Sequence, residues 1–391
     1  MQIIVHRGTH QIGGVATEIR TSSTRLLVDM GEELGLAENF TPKPLSIPGV
    51  TDANGRCDGV LFTHHHADHI GQLKNVRPGI ALYMGALTKQ MLLLTLPPGE
   101  NVLKKRIAAA HTFTPGKRFY IGDIAITTVL TDHSACDSYM FLLESGGKRI
   151  LHTGDFRLHG FRGKGVCKWL KRLSGRLDAL IIEGTALDRP AAWPVTERIL
   201  QQQLRAYLKR YTYVFVLAAA SNVERICAFS KAVPRGKYFI CDAYQYRLLR
   251  LIQQQWGAFS PLYRDIKAVV YTPRLEERFS QRGFVMMVRD NRKFREIIRR
   301  FDADKSLLLY SLWDGYRTRP GSSLASFLAL TPRWAPLHTS GHAAPGDLQR
   351  VIAALSPQRV IPIHTQAPAR LKALCPGASV VLPQDGEALD L

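Results

Sequence analysis

The chain has no run of about 18 consecutive apolar residues, the minimum for a membrane span. Its start, "MQIIVHRGTHQIGG", lacks the charged leader and apolar core of a secretory signal. No membrane partner is expected, and the reading is a cytoplasmic protein. Cysteine is scarce: the six residues (Cys57, Cys136, Cys167, Cys227, Cys241, Cys375) are scattered with no CxxC pair. That excludes a disulfide framework and fits thiols in a reducing compartment. Internal repeats and long low-complexity tracts are also missing. Acidic residues are the last shortage, 32 Asp and Glu against 52 Lys and Arg in 391 residues, a net charge of +20.

What remains is ordinary globular composition, 46% hydrophobic and 21% charged, enough for two or three domains. A charge of +20 favours a polyanionic partner but says nothing of fold. About two thirds of the excess lies in residues 201–320, as a nucleic-acid-binding surface requires. Up to residue 188 the chain reads as short strands broken by Gly, Asp and Ser. Near Asp188-Arg189-Pro190 the texture changes to amphipathic helices alternating with apolar strands, the pattern of an α/β unit with a parallel sheet. After residue 335 short His-bearing motifs return. The expected organisation is therefore residues 1–188 and 336–391 as one domain, interrupted by a basic domain over 189–335.

The densest chemistry is in "LFTHHHADHIGQL", residues 61–73. A short apolar strand ends there, so a rigid scaffold can aim the side chains at one point. Period two puts His64 and His66 on the same side and turns His65 away, and Asp68 and His69 follow in a turn. A purely His and carboxylate donor set suits zinc, with manganese or iron as second choices. Three further candidates end apolar strands: His133 in "TDHSACDS", Asp155 in "LHTGDFR" and His364 in "IPIHT". Each alone is more often a structural residue. Together they complement the first cluster, and a bridging Asp155 makes two divalent ions feasible.

The order HxHxDH, His, Asp and a late His resembles the metallo-β-lactamase superfamily, and within it the β-CASP nucleases such as ribonuclease J and related small bacterial and archaeal ribonucleases. The resemblance implies an α/β fold, a four-layer αββα sandwich with an inserted α/β β-CASP domain. It also implies roles. His64, His66, His133 and Asp155 would hold one metal, and Asp68, His69, Asp155 and His364 the other, with Asp29 of "LLVDMG" ordering the ligand loop. A hydroxide between the ions would attack phosphorus, with Asp68 orienting it and accepting its proton. Glu183 of "IIEGT" would orient His342 of "TSGHA", which would stabilise the scissile phosphate or protonate the leaving oxygen. "AAASNVERI" resembles a family turn near bound phosphate, so Ser221, Asn222 and Arg225 are candidate substrate ligands, as are Ser340, Gly341 and His342.

The implied activity is a metal-dependent ribonuclease acting on single-stranded RNA, exo- or endo-acting. DNA remains an alternative substrate, although the DNA branch typically lacks the histidine matched by His364. Small lactone, thioester or β-lactam substrates fit a +20 chain poorly. A non-cutting RNA-binding subunit of a larger complex would usually have lost ligands, and here every one is present. Arg292, Lys293, Arg295, Arg299 and Arg300 are the expected phosphate contacts in the basic segment, with Arg292, Arg295 and Arg299 on one helical face; a solvated helix face away from the RNA is the alternative. Trp313 and Tyr316 in "SLWDGYRT" suit base stacking, although packing inside the fold is the commoner use of such rings.

Overall fold

The computed structural model describes residues 1–35, 40–189 and 194–391. Pro190, where the sequence texture changes, lies outside the described residues. The chain divides into two compact units. One comprises residues 1–35, 40–189 and 341–391, and the other Pro194–Ser340.

The first unit holds two sheets. One runs in the order Ala388–Asp390, Gln2–Arg7, Ala16–Arg20, Arg25–Val28, Gly59–Leu61, Leu82–Gly85, His111–Phe113. The other runs Arg359–Ile363, Ala179–Glu183, Lys148–His152, Tyr139–Ser145, Ile124–Leu130, Arg118–Ile121. Residues after 341 thus supply a strand to each sheet, and Arg359–Ile363 pairs in parallel with Ala179–Glu183.

Side-chain alternation explains the layers. Leu26, Val28, Phe141, Leu143, Ile181 and Ile361 pack in one cluster, between the two sheets. Their neighbours Leu27 and Val60 face the opposite way, onto Met84, Ile107 and Leu73. Likewise Met140, Leu142, Leu180 and Ile182 turn outward onto Val166 and Leu170 of helix Gly163–Leu170 and Leu348 and Ile352 of helix Pro345–Leu355. Strands covered on both faces read as continuous apolar runs, as "LLV" and "ALIIE" do. The result is the αββα sandwich that the resemblance implied.

The second unit is a six-stranded, all-parallel sheet in the order Ala268–Val270, Tyr238–Cys241, Phe284–Val288, Tyr213–Ala218, Ser306–Ser311, Trp334–Pro336. Helix Glu197–Arg210 starts at Thr196, whose side chain caps Ile199 N, and buries Leu200, Leu204 and Leu208 at helical spacing. Helix Ala243–Trp256 opens with a reciprocal capping box between Asp242 and Gln245. One sheet face packs Phe215, Phe284, Met286 and Leu308 against Phe279, Phe294 and Phe327.

Candidate metal centre

Strand Gly59–Leu61 ends just before the histidines, and the chain turns into the short helix Ala67–Ile70. Asp29 fixes this loop from the end of the neighbouring strand. It has a left-handed backbone (φ 64°), rare for a side chain with a Cβ. Its carboxylate accepts from Thr63 N at 2.7 Å and Thr63 Oγ1 at 2.8 Å. It also pairs with His69 Nδ1 at 2.8 Å, which turns Nε2 toward Asp155; burial opposes charge on this ring, but the Asp155 and Asp29 carboxylates outweigh it and raise the His69 pKa.

His133 is set in the same way by a backbone carbonyl, Gly341 O, 2.6 Å from its Nδ1. Its Nε2 then faces His66 Nδ1 at 3.2 Å. His364, also in the left-handed region (φ 56°), is anchored by its N–H to Gly8 O and by its Nδ1 to Thr185 Oγ1 at 2.7 Å. Its Nε2 lies 3.1 Å from Asp68 Oδ2. At the middle sits Asp155, whose Oδ2 is 3.2 Å from His69 Nε2, 3.8 Å from His133 Nε2 and 3.9 Å from His64 Nε2. The seven residues expected to hold metal therefore lie together, in overlapping triads His64/His66/His133, His64/His69/Asp155 and Asp68/His69/His364. His65 is in none of them.

The donors are ones a cation would complete. His64 Nε2, His69 Nε2 and Asp155 Oδ1 are buried without a hydrogen-bond partner, which is costly for polar atoms in a protein interior. Burial pushes His66 down to about 4 and His64 and His133 well below the ordinary value, so all three are neutral and able to ligate near pH 7. Burial alone would raise Asp155, but His364, His69 and His342 outweigh it and keep the carboxylate ionised. Nitrogen and carboxylate donors in this number fit divalent ions of the zinc or manganese type.

Two residues at the rim of the cluster form a pair, and His342 also groups with His133 and Asp155. His342 Nδ1 is 3.0 Å from Glu183 Oε2 and 3.5 Å from Asp155 Oδ2. Glu183, at the end of its strand, is buried, and its Oε1 accepts from Phe156 N at 2.9 Å. Burial opposes charge on His342, yet the Glu183 and Asp155 carboxylates prevail and raise its pKa. Below the ligands, Arg157 Nε donates to Asp132 Oδ1 at 2.8 Å, both fully buried, tying the His133 loop to the Asp155 loop. This link, Thr185 and the Gly341 carbonyl are supports the sequence reading missed. Only their adjacency to the motifs, one or two residues away, hinted at them.

The expected substrate ligands fare differently. Asn222 caps helix Val223–Ala232 through Oδ1 and Arg225 N, and Ser221 precedes it as part of the same turn. Arg225 corrects the expectation: it is 1% exposed and its guanidinium binds Glu197, Ser311 Oγ and Thr339 O. It is spent inside the fold and cannot reach a phosphate. Gly341 has no room for a Cβ, which would stand 2.6 Å from Ser134 Oγ. Of the three arginines expected on one basic face, Arg295 is bonded to Asp290 and Ser323 O, and Arg292 to Glu296.

Comparison with known proteins agrees with this geometry. Residues 24–203 match the family described as "Beta-lactamase superfamily domain". The chain is also similar to ribonuclease J of Mycobacterium tuberculosis, 23% identical over 98% of this chain and 73% of the relative. Ribonuclease J of Thermus thermophilus is 27% identical over 58% of this chain and 42% of its own. A solved structure from Enterococcus faecalis V583, titled as a protein of unknown function, superposes with a TM-score of 0.79 at 21% identity. It covers 100% of this chain and 99% of that one, which speaks to fold alone.

Proposed function

We propose that this chain is a metal-dependent ribonuclease that hydrolyses RNA phosphodiester bonds, with single-stranded RNA as substrate. The observation that carries the proposal is the convergence of buried, partnerless donor atoms on His64, His69 and Asp155 beside the Glu183–His342 pair. His64, His66 and His133 with Asp155 would hold one divalent ion, and Asp68, His69 and His364 with Asp155 the other. Ions bound there supply charge neutralisation at phosphorus and a lowered pKa for water.

The chain's own residues do the rest. Asp29, Thr185 and the Gly341 carbonyl take the Nδ1 side of His69, His364 and His133, so each presents Nε2 inward. Asp68, ionised and held by His364 Nε2, is placed to accept a proton from the attacking water. Glu183 orients His342 through Nδ1, and the ring would steady the scissile phosphate or protonate the leaving oxygen. The +20 charge supplies affinity for the polyanion.

The test is incubation of end-labelled RNA and DNA of one sequence with the purified chain, with and without added zinc or manganese. Metal-dependent cleavage of RNA is expected. Cleavage of DNA alone, or of neither strand with metal bound, would overturn the assignment. The product ladder separates end-directed from internal cutting.

A further inference from the structure

The described exposed large apolar residues between 313 and 336 are all aromatic: Trp313 at 39%, Tyr316 at 43% and Trp334 at 43%. They form a group. The rings of Trp313 and Tyr316 meet edge to face with centroids 5.4 Å apart, and the Arg317 guanidinium lies 5.6 Å over the Trp334 ring. The group is also built rigidly. A Cβ on Gly315 would stand 2.3 Å from the Trp313 ring, so the indole packs closely over the Gly315 backbone. Tyr310 Oη donates to Trp313 O at 2.8 Å, and Ser322 Oγ donates to Tyr316 O at 2.8 Å. Asp314 grips Arg317 through two bonds, at 2.8 and 3.0 Å, and so fixes the guanidinium plane.

The location is informative as well. Trp313 and Tyr316 follow the carboxyl end of strand Ser306–Ser311, and Trp334 opens the parallel edge strand beside it, opposite Leu308. Ligands of open parallel sheets gather at the carboxyl ends of the strands, where Trp313 and Tyr316 lie; Trp334, at the amino end of its own strand, joins them only through Arg317 over its ring. Exposed Arg319 and Arg333 add positive charge to the same stretch of chain. Rigid rings interleaved with guanidiniums are what single-stranded nucleic acids use, because every base offers a π-face and every linkage a negative charge.

We propose that Trp313, Tyr316 and Trp334, with Arg317, form a base-stacking platform for single-stranded RNA on the Pro194–Ser340 unit. The proposal rests on the reading of the chain as an RNA hydrolase, but it is tested by binding and not by cleavage. The probe is a short phosphorothioate oligo(U), whose linkages resist hydrolysis, added to the full chain and followed by tryptophan fluorescence and by anisotropy of a labelled copy. Oligo(U) should quench the tryptophans. Trp334→Ala and Trp313→Ala should each weaken binding by about 5- to 100-fold, the range of one lost stacking contact. Trp334→Phe should keep most of the affinity, and none of these variants should change the slope of log affinity against log salt, which counts phosphates.

An abasic oligomer of the same length should bind the parent more weakly and cause no quenching. This comparison decides the matter even if an alanine variant fails to fold. Equal quenching by the abasic oligomer would overturn the platform, as would parent-like affinity in both alanine variants. So would loss of a chain dimer, seen by sedimentation, in place of loss of oligo(U) binding. Binding as described without any RNA cleavage would remove the ribonuclease reading and leave the platform standing.

Discussion

Two buried clusters in this chain combine the same kinds of groups, histidine, carboxylate and a polar neighbour, yet their donors meet different fates. Around Arg225 the ring of partners is complete: Glu197, Ser311, His338 and Thr339 take up the guanidinium. Around Asp155 the ring is broken, and His64 Nε2, His69 Nε2 and Asp155 Oδ1 are buried with no hydrogen-bond partner. A satisfied cluster holds a fold together, whereas an unsatisfied one that is nonetheless buried is kept for a ligand. The two should therefore respond in opposite ways to substitution.

Asp155→Asn should abolish RNA hydrolysis, because the central carboxylate faces His64, His69 and His133 at once. The metal-free chain should lose little stability, as checked by its thermal midpoint without added ions. A large drop in that midpoint would erase the distinction between the clusters. Arg225→Ala should do the reverse. It takes the Arg225 guanidinium away from the fully buried Glu197 carboxylate, at a cost of about 3–5 kcal/mol, measured by urea denaturation. Metal content in the surviving folded fraction should be unchanged.

His342→Ala should lower turnover by roughly 10²–10⁴-fold with metal retained, the range of a lost acid or base. Glu183→Gln should act in the same direction but more weakly, and the double variant should be non-additive since the pair acts as a unit. Multiplicative effects would break the pair. Loss of metal on His342→Ala would make His342 a ligand, which its triad with His133 and Asp155 permits.

The contrast between the clusters was only half legible in the sequence. "HHHADH" concentrates its donors within six positions at a strand end, so local periodicity suffices to group them. Continuous apolar runs such as "LLV" and "ALIIE" likewise announce strands covered on both faces. Arg225 is a different case. A Ser-Asn-x-x-Arg turn reads the same whether its arginine meets phosphate or a carboxylate, and the deciding partner, Glu197, lies 28 residues earlier. The Gly341 carbonyl was hidden for a related reason, since any residue could supply it and only the fold brings it to His133.

A smaller effect sharpens the satisfied side of the comparison. Glu18 is buried, and against that burial His6 at 2.8 Å and Arg25 at 2.6 Å pull its pKa from 4.5 to about 2. A carboxylate depressed on folding stabilises above its unfolded pKa and loses that contribution as pH falls through the folded one. The stability difference between the parent and Glu18→Gln should therefore be full above pH 4.5 and shrink toward pH 2. A difference that stays constant across that window would mean the carboxylate's charge does not contribute.

The central claim is that the broken ring around Asp155 is completed by cations. Elemental analysis of the purified chain after reconstitution with zinc or manganese tests it most directly. About two ions per chain are expected, as for a dinuclear hydrolytic site, falling sharply in Asp155→Asn and unchanged in Arg225→Ala. A parent chain that binds none after reconstitution would contradict the account.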